Sequence, residues 1–359
     1  MRYRIGAIAW VCVLIVRCDR YKIHGMTDLS PFDRVIGQEQ AIALLKAAIK
    51  RERIAPAYLF AGANGVGRSK TALAFAEILL SHRKGDRKSL NRISDRNHPD
   101  LLWVEPTYLD KGKMLTAKEA EAAGLKRRAL PQIRVEQIRE ISEFVSRNPL
   151  ECARSVVVIE EAQSMAESAA NSLLKTLEEP LYATIILIVP DAGSILSTLV
   201  SRCQRIPFTR LNATQVQTIL NQEGHGDVPP DLIALAQGSV GQAIDAFERF
   251  QSITPDLLNA VRQVPKDART ALTIAKQITK ELDVDLQLWL IDYLQNYFWQ
   301  NYFWQSLQHD PHRAKQTLTH LDKARELISR YVQPRLVWEV TLLQIAGCID
   351  FERHEAPRK

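Results

Sequence analysis

A chain of 359 residues with 46% hydrophobic and 25% charged side chains has the make-up of a soluble globular protein of two or three domains, not of a disordered or fibrous one. Its net charge of +6 and isoelectric point of about 9.0 are mildly basic, which permits contact with nucleic acid without requiring it. Five scattered cysteines, Cys12, Cys18, Cys152, Cys203 and Cys348, form no C-x-x-C pair, so neither a zinc ribbon nor a disulfide framework is indicated, and a reducing cytoplasm is the expected setting.

Residues 1–25 differ from the rest. Arg2 and Arg4 precede an apolar run from Ile5 to Val16, too short to span a bilayer comfortably. Arg17, Asp19, Arg20 and Lys22 follow in place of a small-residue cleavage pattern. The stretch reads as an over-extended start, with Met26 the natural first residue. A membrane anchor is the alternative reading, and no membrane contact is expected elsewhere.

From Phe32 the chain reads as an α/β nucleotide-binding domain. A helix with apolar positions Ala41, Leu44, Leu45, Ala48 and Ile49 leads to the strand Ala57–Ala61. Gly62-Ala63-Asn64-Gly65-Val66-Gly67-Arg68-Ser69 follows, then an amphipathic helix from Lys70 to Leu80. Strand, glycine-rich turn and helix are the context of a phosphate loop, G-x-x-x-x-G-K-[ST], with Arg68 at the lysine position. Glycines let backbone N–H groups face an anion, and the helix N-terminus adds partial positive charge. The guanidinium of Arg68 pairs well with phosphate, though it lacks the compactness of a lysine ammonium.

Residues 81–130 read as an irregular insertion. Arg83, Lys84, Arg87, Lys88, Arg92 and Arg96 make its first part basic, a solvated loop or a contact for DNA phosphates. His98-Pro99-Asp100 turns into an edge-like strand, Leu101 to Val104, and Lys111 to Arg128 is charged. Ile138, Ile141 and Val145 then share a helical face. Ser155–Ile159 is an apolar, β-branched run of the kind found in a parallel strand covered on both sides. Glu160 and Glu161 stand at its carboxyl end, where ligands bind in open α/β sheets. An acid there can hold Mg²⁺ through water, and its neighbour can polarise an attacking water. A helix from Ala166 to Leu177, a strand Thr184–Val189, a short helix from Ile195 to Val200 and Ser201-Arg202-Cys203 complete this part. Cys203 reads as packing, since no histidine lies near it in sequence.

The second half is helical by its apolar spacing: Leu211 to Glu223, Pro230 to Gln237, Val240 to Phe250, then Ala271 to Leu282, Leu286 to Leu307, His312 to Tyr331 and Pro334 to Phe351. A direct repeat, Asn296–Gln300 and Asn301–Gln305, puts six aromatics on one helix, and its five-residue period turns the two copies to different directions.

Taken together, the phosphate loop, the apolar strand with its two acids, the run Asn171-Ser172-Leu173-Leu174-Lys175-Thr176-Leu177-Glu178-Glu179-Pro180 and Ser201-Arg202-Cys203 resemble the clamp-loader AAA+ family over residues 32–210. Within it, the segment Ile133 to Val145 and the His98-Pro99-Asp100 turn are more similar to the delta-prime branch of bacterial DNA polymerase III than to its tau/gamma ATPase. The resemblance implies an AAA+ α/β domain with a parallel sheet over 26–209, a helical lid over 210–253, an all-α collar over 254–352 and a tail over 353–359. It implies nucleotide contacts from Gly62, Gly65, Gly67, Arg68, Ser69, Glu160 and Glu161, with ATP or ADP and Mg²⁺ as the cofactor. Zinc is not expected, because 81–130 holds no cysteine.

The departures from the family ATPases are Arg68 for lysine, Glu160 for aspartate, Val189-Pro190 where a polar sensor stands, and Gly241-Gln242 where a second-sensor arginine stands. They imply a weakly or non-hydrolysing stator within a polymerase holoenzyme. Arg202 is then an arginine finger that reaches a neighbour's ATP site. The implied partners are the tau/gamma ATPase and delta subunits, with the sliding clamp and primed DNA reached through the complex. The other reading is an active AAA+ ATPase, either a clamp-loader motor or a branch-migration helicase.

Overall fold

In the computed structural model of the chain, residues 28–80, 87–110, 112–124, 130–178, 181–300 and 311–348 are described. The expectations for residues 1–25, for the second aromatic copy and for the tail fall outside these. The chain divides into two compact units between Gln215 and Val216.

The first unit runs α1 (Glu39–Lys50), β1 (Ala57–Ala61), α2 (Arg68–Leu80), α3 (Arg87–Ser94), β2 (Leu101–Val104), β3 (Thr107–Asp110), β4 (Lys113–Thr116), α4 (Ala117–Ala122), α5 (Val135–Ser146), β5 (Ser155–Ile159), α6 (Glu167–Glu178), β6 (Ala183–Val189), α7 (Ser197–Val200) and β7 (Gln204–Pro207). Five strands form one parallel sheet in the order β2-β5-β6-β1-β7. Successive side chains of a strand point to opposite faces, so the apolar strands feed two cores. Tyr58, Phe60, Val156, Val158, Ile186 and Ile188 meet Leu45 of α1 and Phe75 and Ile78 of α2. Leu59, Val157, Ile159, Ile185 and Leu187 meet Ile138 and Ile141 of α5 and Leu173 of α6. Burial on both faces is why β5 and β6 carry no polar alternation.

One expectation is corrected, and one strand is added to those expected. Residues 81–130 are not simply irregular: α3, the antiparallel hairpin β3–β4 and α4 lie within them. The charged segment after Gly112 orders because Thr116 and Glu119 form a reciprocal capping box at the start of α4. The segment after Arg202 is also a strand. Gln204-Arg205-Ile206-Pro207 has only Ile206 buried, too little pattern to read, yet it pairs in parallel with β1 along the sheet edge. Pro207 is tolerated there because an edge strand leaves one side of its ladder open.

The second unit comprises α8 (Ala213–Gln222, which starts just before the division), α9 (Pro230–Leu235), α10 (Val240–Gln251), α11 (Pro255–Arg262), α12 (Ala268–Glu281), α13 (Val284–Phe298), α14 (Pro311–Ser329) and α15 (Pro334–Ile345). Helix α11 was not among the spans named from apolar spacing, and the expected continuation of α13 beyond Gln300 falls outside the described residues. Arg262 packs against Tyr297 of the first aromatic copy and two rings outside it. Its guanidinium lies 5.4 Å from the Phe250 ring, 5.5 Å from Tyr293 and 5.2 Å from Tyr297, and it pairs with Asp231 at 3.1 Å. Trp338 is fully buried, and its indole N–H donates to Gln287 Oε1 at 3.0 Å. Gln287 Nε2 in turn donates to the Leu282 carbonyl at 2.9 Å.

Gln287→Leu keeps the volume and strands that indole N–H in an apolar core. Urea unfolding followed by tryptophan fluorescence should show a loss of about 1–3 kcal/mol, and Trp338→Phe in the Gln287→Leu background should recover part of it.

Candidate functional site

The glycine-rich turn sits at the carboxyl end of β1, and α2 begins at Arg68. The glycines answer two constraints. Gly65 and Gly67 have φ of +73° and +100°, a left-handed backbone that a side chain resists. Gly62 is held by space: a Cβ there would lie 2.5 Å from the Phe208 carbonyl oxygen. Its N–H donates to the Val189 carbonyl at 3.2 Å, so the end of β6 is tied to the start of the turn. Thr71 Oγ1 donates to the Gly67 carbonyl at 2.9 Å and closes the first turn of α2.

Arg68 is buried, with 8% of its surface exposed. Nη2 donates to Asn64 Oδ1 within the turn at 2.5 Å, while Nη1 is buried with no hydrogen-bond partner. Burial pulls its pKa down, and the charges of Glu160 and Glu161 act in the opposite direction. The structure thus brings together the loop and the acid pair that the sequence suggested. Ser69 follows in the same helical turn, half-buried.

Glu160 has neighbours that the sequence did not reveal. Arg96 Nη1 lies 3.7 Å from its Oε2, and the same guanidinium bonds Glu105. Burial first, then the neighbouring Glu160 carboxyl, raises the Glu105 carboxyl above its ordinary range. Arg96 also lies over the Trp103 ring at 4.1 Å. Glu161 is exposed, with φ of +47°. Arg92, another member of the basic run, is spent on both oxygens of Glu151 at 3.0 Å. Two cations read as solvated, or as DNA contacts, therefore serve the domain itself.

Gln38 is a second residue that sequence reasoning missed. It is 2% exposed and donates through Nε2 to the carbonyls of Val66 at 3.0 Å and Thr209 at 2.8 Å, while its Oε1 accepts from the Thr209 N–H. It stitches the turn to the segment after β7. It stands at the N-terminal end of α1 without capping it through its side chain.

A nucleotide phosphate fits this loop: the turn is shaped by glycines, α2 presents its N-terminus, and a buried guanidinium nitrogen lacks an acceptor. Magnesium fits poorly, since the carboxylate that would hold it is engaged by Arg96 and Glu105.

Arg202 lies between α7 and β7 with its side chain 36% exposed. Nη1 donates to the Thr198 carbonyl at 3.0 Å and Nη2 to Glu178 Oε1 at 2.8 Å. Adjacent Cys203 packs on the second core, and burial raises its thiol to about 12. His98, Asp100 and Cys152 bring ligand-type atoms within 4.8 Å of one another. Asp100 nevertheless accepts the backbone N–H groups of Leu150, Glu151 and Cys152, and Cys152 Sγ donates to the Leu80 carbonyl, so these side chains act as a brace. In the second unit, Ser239 caps α10 through the Gln242 N–H, and Gly241 and Gln242 are exposed.

Comparison with known proteins covers most of the chain. The family described as DNA polymerase III, delta subunit, matches residues 37–212. The cyanobacterial DNA polymerase III delta prime C-terminal domain matches residues 214–345. The delta-prime subunit of Bacillus subtilis is 30% identical over 59% of this chain and 58% of its own length. That of Pseudomonas aeruginosa is 34% identical over 43% of each. The tau/gamma subunit of Haemophilus influenzae is 29% identical over 60% of this chain and 30% of its own. The similarity thus spans little more than half the length of the Bacillus relative. A gamma-subunit-related protein of Thermotoga maritima, solved as a crystal structure, is 16% identical over 86% of this chain and 99% of its own, with a TM-score of 0.46.

Two outcomes are expected. Gly62→Ala should destabilise the first unit by about 1–3 kcal/mol in denaturant unfolding, because the new methyl meets backbone rather than a movable side chain. Cys152 and Cys203 both have thiols raised to about 12 by burial, so the nucleophilic thiolate is absent well below that pH. At pH 8, iodoacetamide labelling mapped by mass spectrometry should modify exposed Cys348 while leaving Cys152 and Cys203 largely intact.

Proposed function

Since the chain belongs to the DNA polymerase III delta-prime family, we propose that it acts in DNA replication as the stator of a clamp loader. In this reading it assembles with tau/gamma ATPase and delta subunits, and the complex opens the sliding clamp on primed DNA. Its own loop holds a nucleotide phosphate through the glycine-shaped turn and Arg68, and turns it over weakly or not at all.

Arg202 carries the reading. It stands at the surface end of a short helix, and two acceptors fix it: the Thr198 carbonyl and the Glu178 carboxylate. A guanidinium so presented suits the transferring phosphoryl of a neighbouring subunit, whose charge spreads over three oxygens. Arg68 supports the other half of the proposal. A planar, buried guanidinium tied to Asn64 does not follow a departing phosphate as a flexible ammonium does. The lid over 210–253 and the collar over 254–352 complete the proposed organisation, the collar serving subunit contact.

Arg202→Ala should leave co-purification with the tau/gamma and delta subunits intact while lowering ATP turnover at the adjoining site by about 10³-fold or more. An unchanged rate in the assembled complex removes the finger role. The purified chain alone should show background ATP hydrolysis. Brisk DNA-stimulated turnover by that chain would instead establish the motor reading.

A further inference from the structure

We infer that the phosphate loop takes a nucleoside diphosphate without a divalent cation, because the guanidinium of Arg96 already serves the carboxylate that would hold one. The inference rests on the phosphate reading of the loop proposed above and adds to it the number of phosphates and the absence of a divalent cation.

Two arginines divide the task between them. Arg68 faces the ligand: it stands in the first turn of a thirteen-residue helix, is more than nine-tenths buried, and has a buried Nη1 without a partner. A donor withheld from water and from protein is satisfied by an anion placed against the loop, and the helix N-terminus favours the same charge. Arg96 faces the acids. It bonds Glu105 and lies 3.7 Å from Glu160 Oε2, so one cation serves both carboxylates. The Trp103 ring at 4.1 Å holds the guanidinium plane in place. Magnesium needs several oxygen ligands in near-ideal octahedral geometry and sheds water reluctantly. Glu160 is occupied by a fixed cation, so it has little charge left to draw a hydrated ion. The choice of a diphosphate follows from the adjoining strand end. There Val189 and Pro190 offer no side-chain donor for a third phosphate, and the Val189 carbonyl is bonded to the Gly62 N–H.

The test is calorimetric titration of the full chain with ADP, once in magnesium and once in EDTA. The expected result is the same affinity in both buffers to within about twofold. Arg68→Ala should weaken binding by about tenfold or more in both buffers. Arg96→Gln uncovers the acids and should introduce a magnesium dependence of about tenfold, with circular dichroism verifying that the variant is folded. Wild-type binding that falls by about tenfold or more in EDTA overturns the inference and leaves the phosphate reading standing. No ADP binding in either buffer overturns both. The wild-type comparison decides the matter even if the Arg96 variant does not fold.

Discussion

A guanidinium withdrawn from water must be met by opposite charge or by acceptors, and Arg68 places that demand at the start of a helix whose own partial charge is also positive. Asn64 takes one nitrogen, Glu160 and Glu161 supply the field, and one nitrogen remains unmet. The local arrangement can be understood from this constraint. The acids lie at the carboxyl end of β5 because a parallel sheet brings its strand ends together beside the loop. The turn keeps its glycines because its backbone departs from what side chains allow.

That geometry depends on contacts far from the loop in sequence. Gln38 is 171 residues from Thr209, and through Val66 it fixes the turn against the segment that leaves β7. Gly62 lies against Phe208, so β1, the turn and the segment beyond β7 pack as one piece. The His98–Asp100 brace anchors the 150–152 loop beneath the edge of the sheet. The sheet is therefore more than a scaffold for the loop, since its edges hold the loop in shape.

The contrast between Arg68 and Arg202 separates what this domain retains from what it offers. Arg68 is desolvated and turned toward its own loop. Arg202 is partly exposed and steadied by Glu178 and Thr198. A buried arginine is suited to holding an anion, and an exposed one to meeting another molecule. Arg96 is a third case, a cation committed to two carboxylates within the chain. In the second unit Arg262 likewise binds Asp231 and lies among aromatic rings. The surplus of basic residues suggested nucleic acid, but these particular arginines are engaged internally.

Local patterns were enough to read the framework. β-Branched apolar runs identified β5 and β6, glycine spacing with a following helix identified the loop, and apolar periodicity found most helices of the second unit, though α11 was not among the spans it named. Those features are legible because each is written within one stretch of chain, in residues whose propensities and burial agree. The capping box at Thr116, the strand β7, the Gln38 stitch, the Arg96–Glu160–Glu105 cluster and the Glu178 hold on Arg202 were not read. Thr116 lies in a charged segment that masks the cap, and β7 is a strand only because β1 offers it a ladder. The others join residues whose partners are distant in sequence. By itself the sequence determined that a parallel sheet would carry a glycine-rich turn before a helix and two acids at a strand end. Only the tertiary structure decided which charges meet there, because pairing between distant polar residues depends on the packing that brings them together and leaves no local periodicity behind.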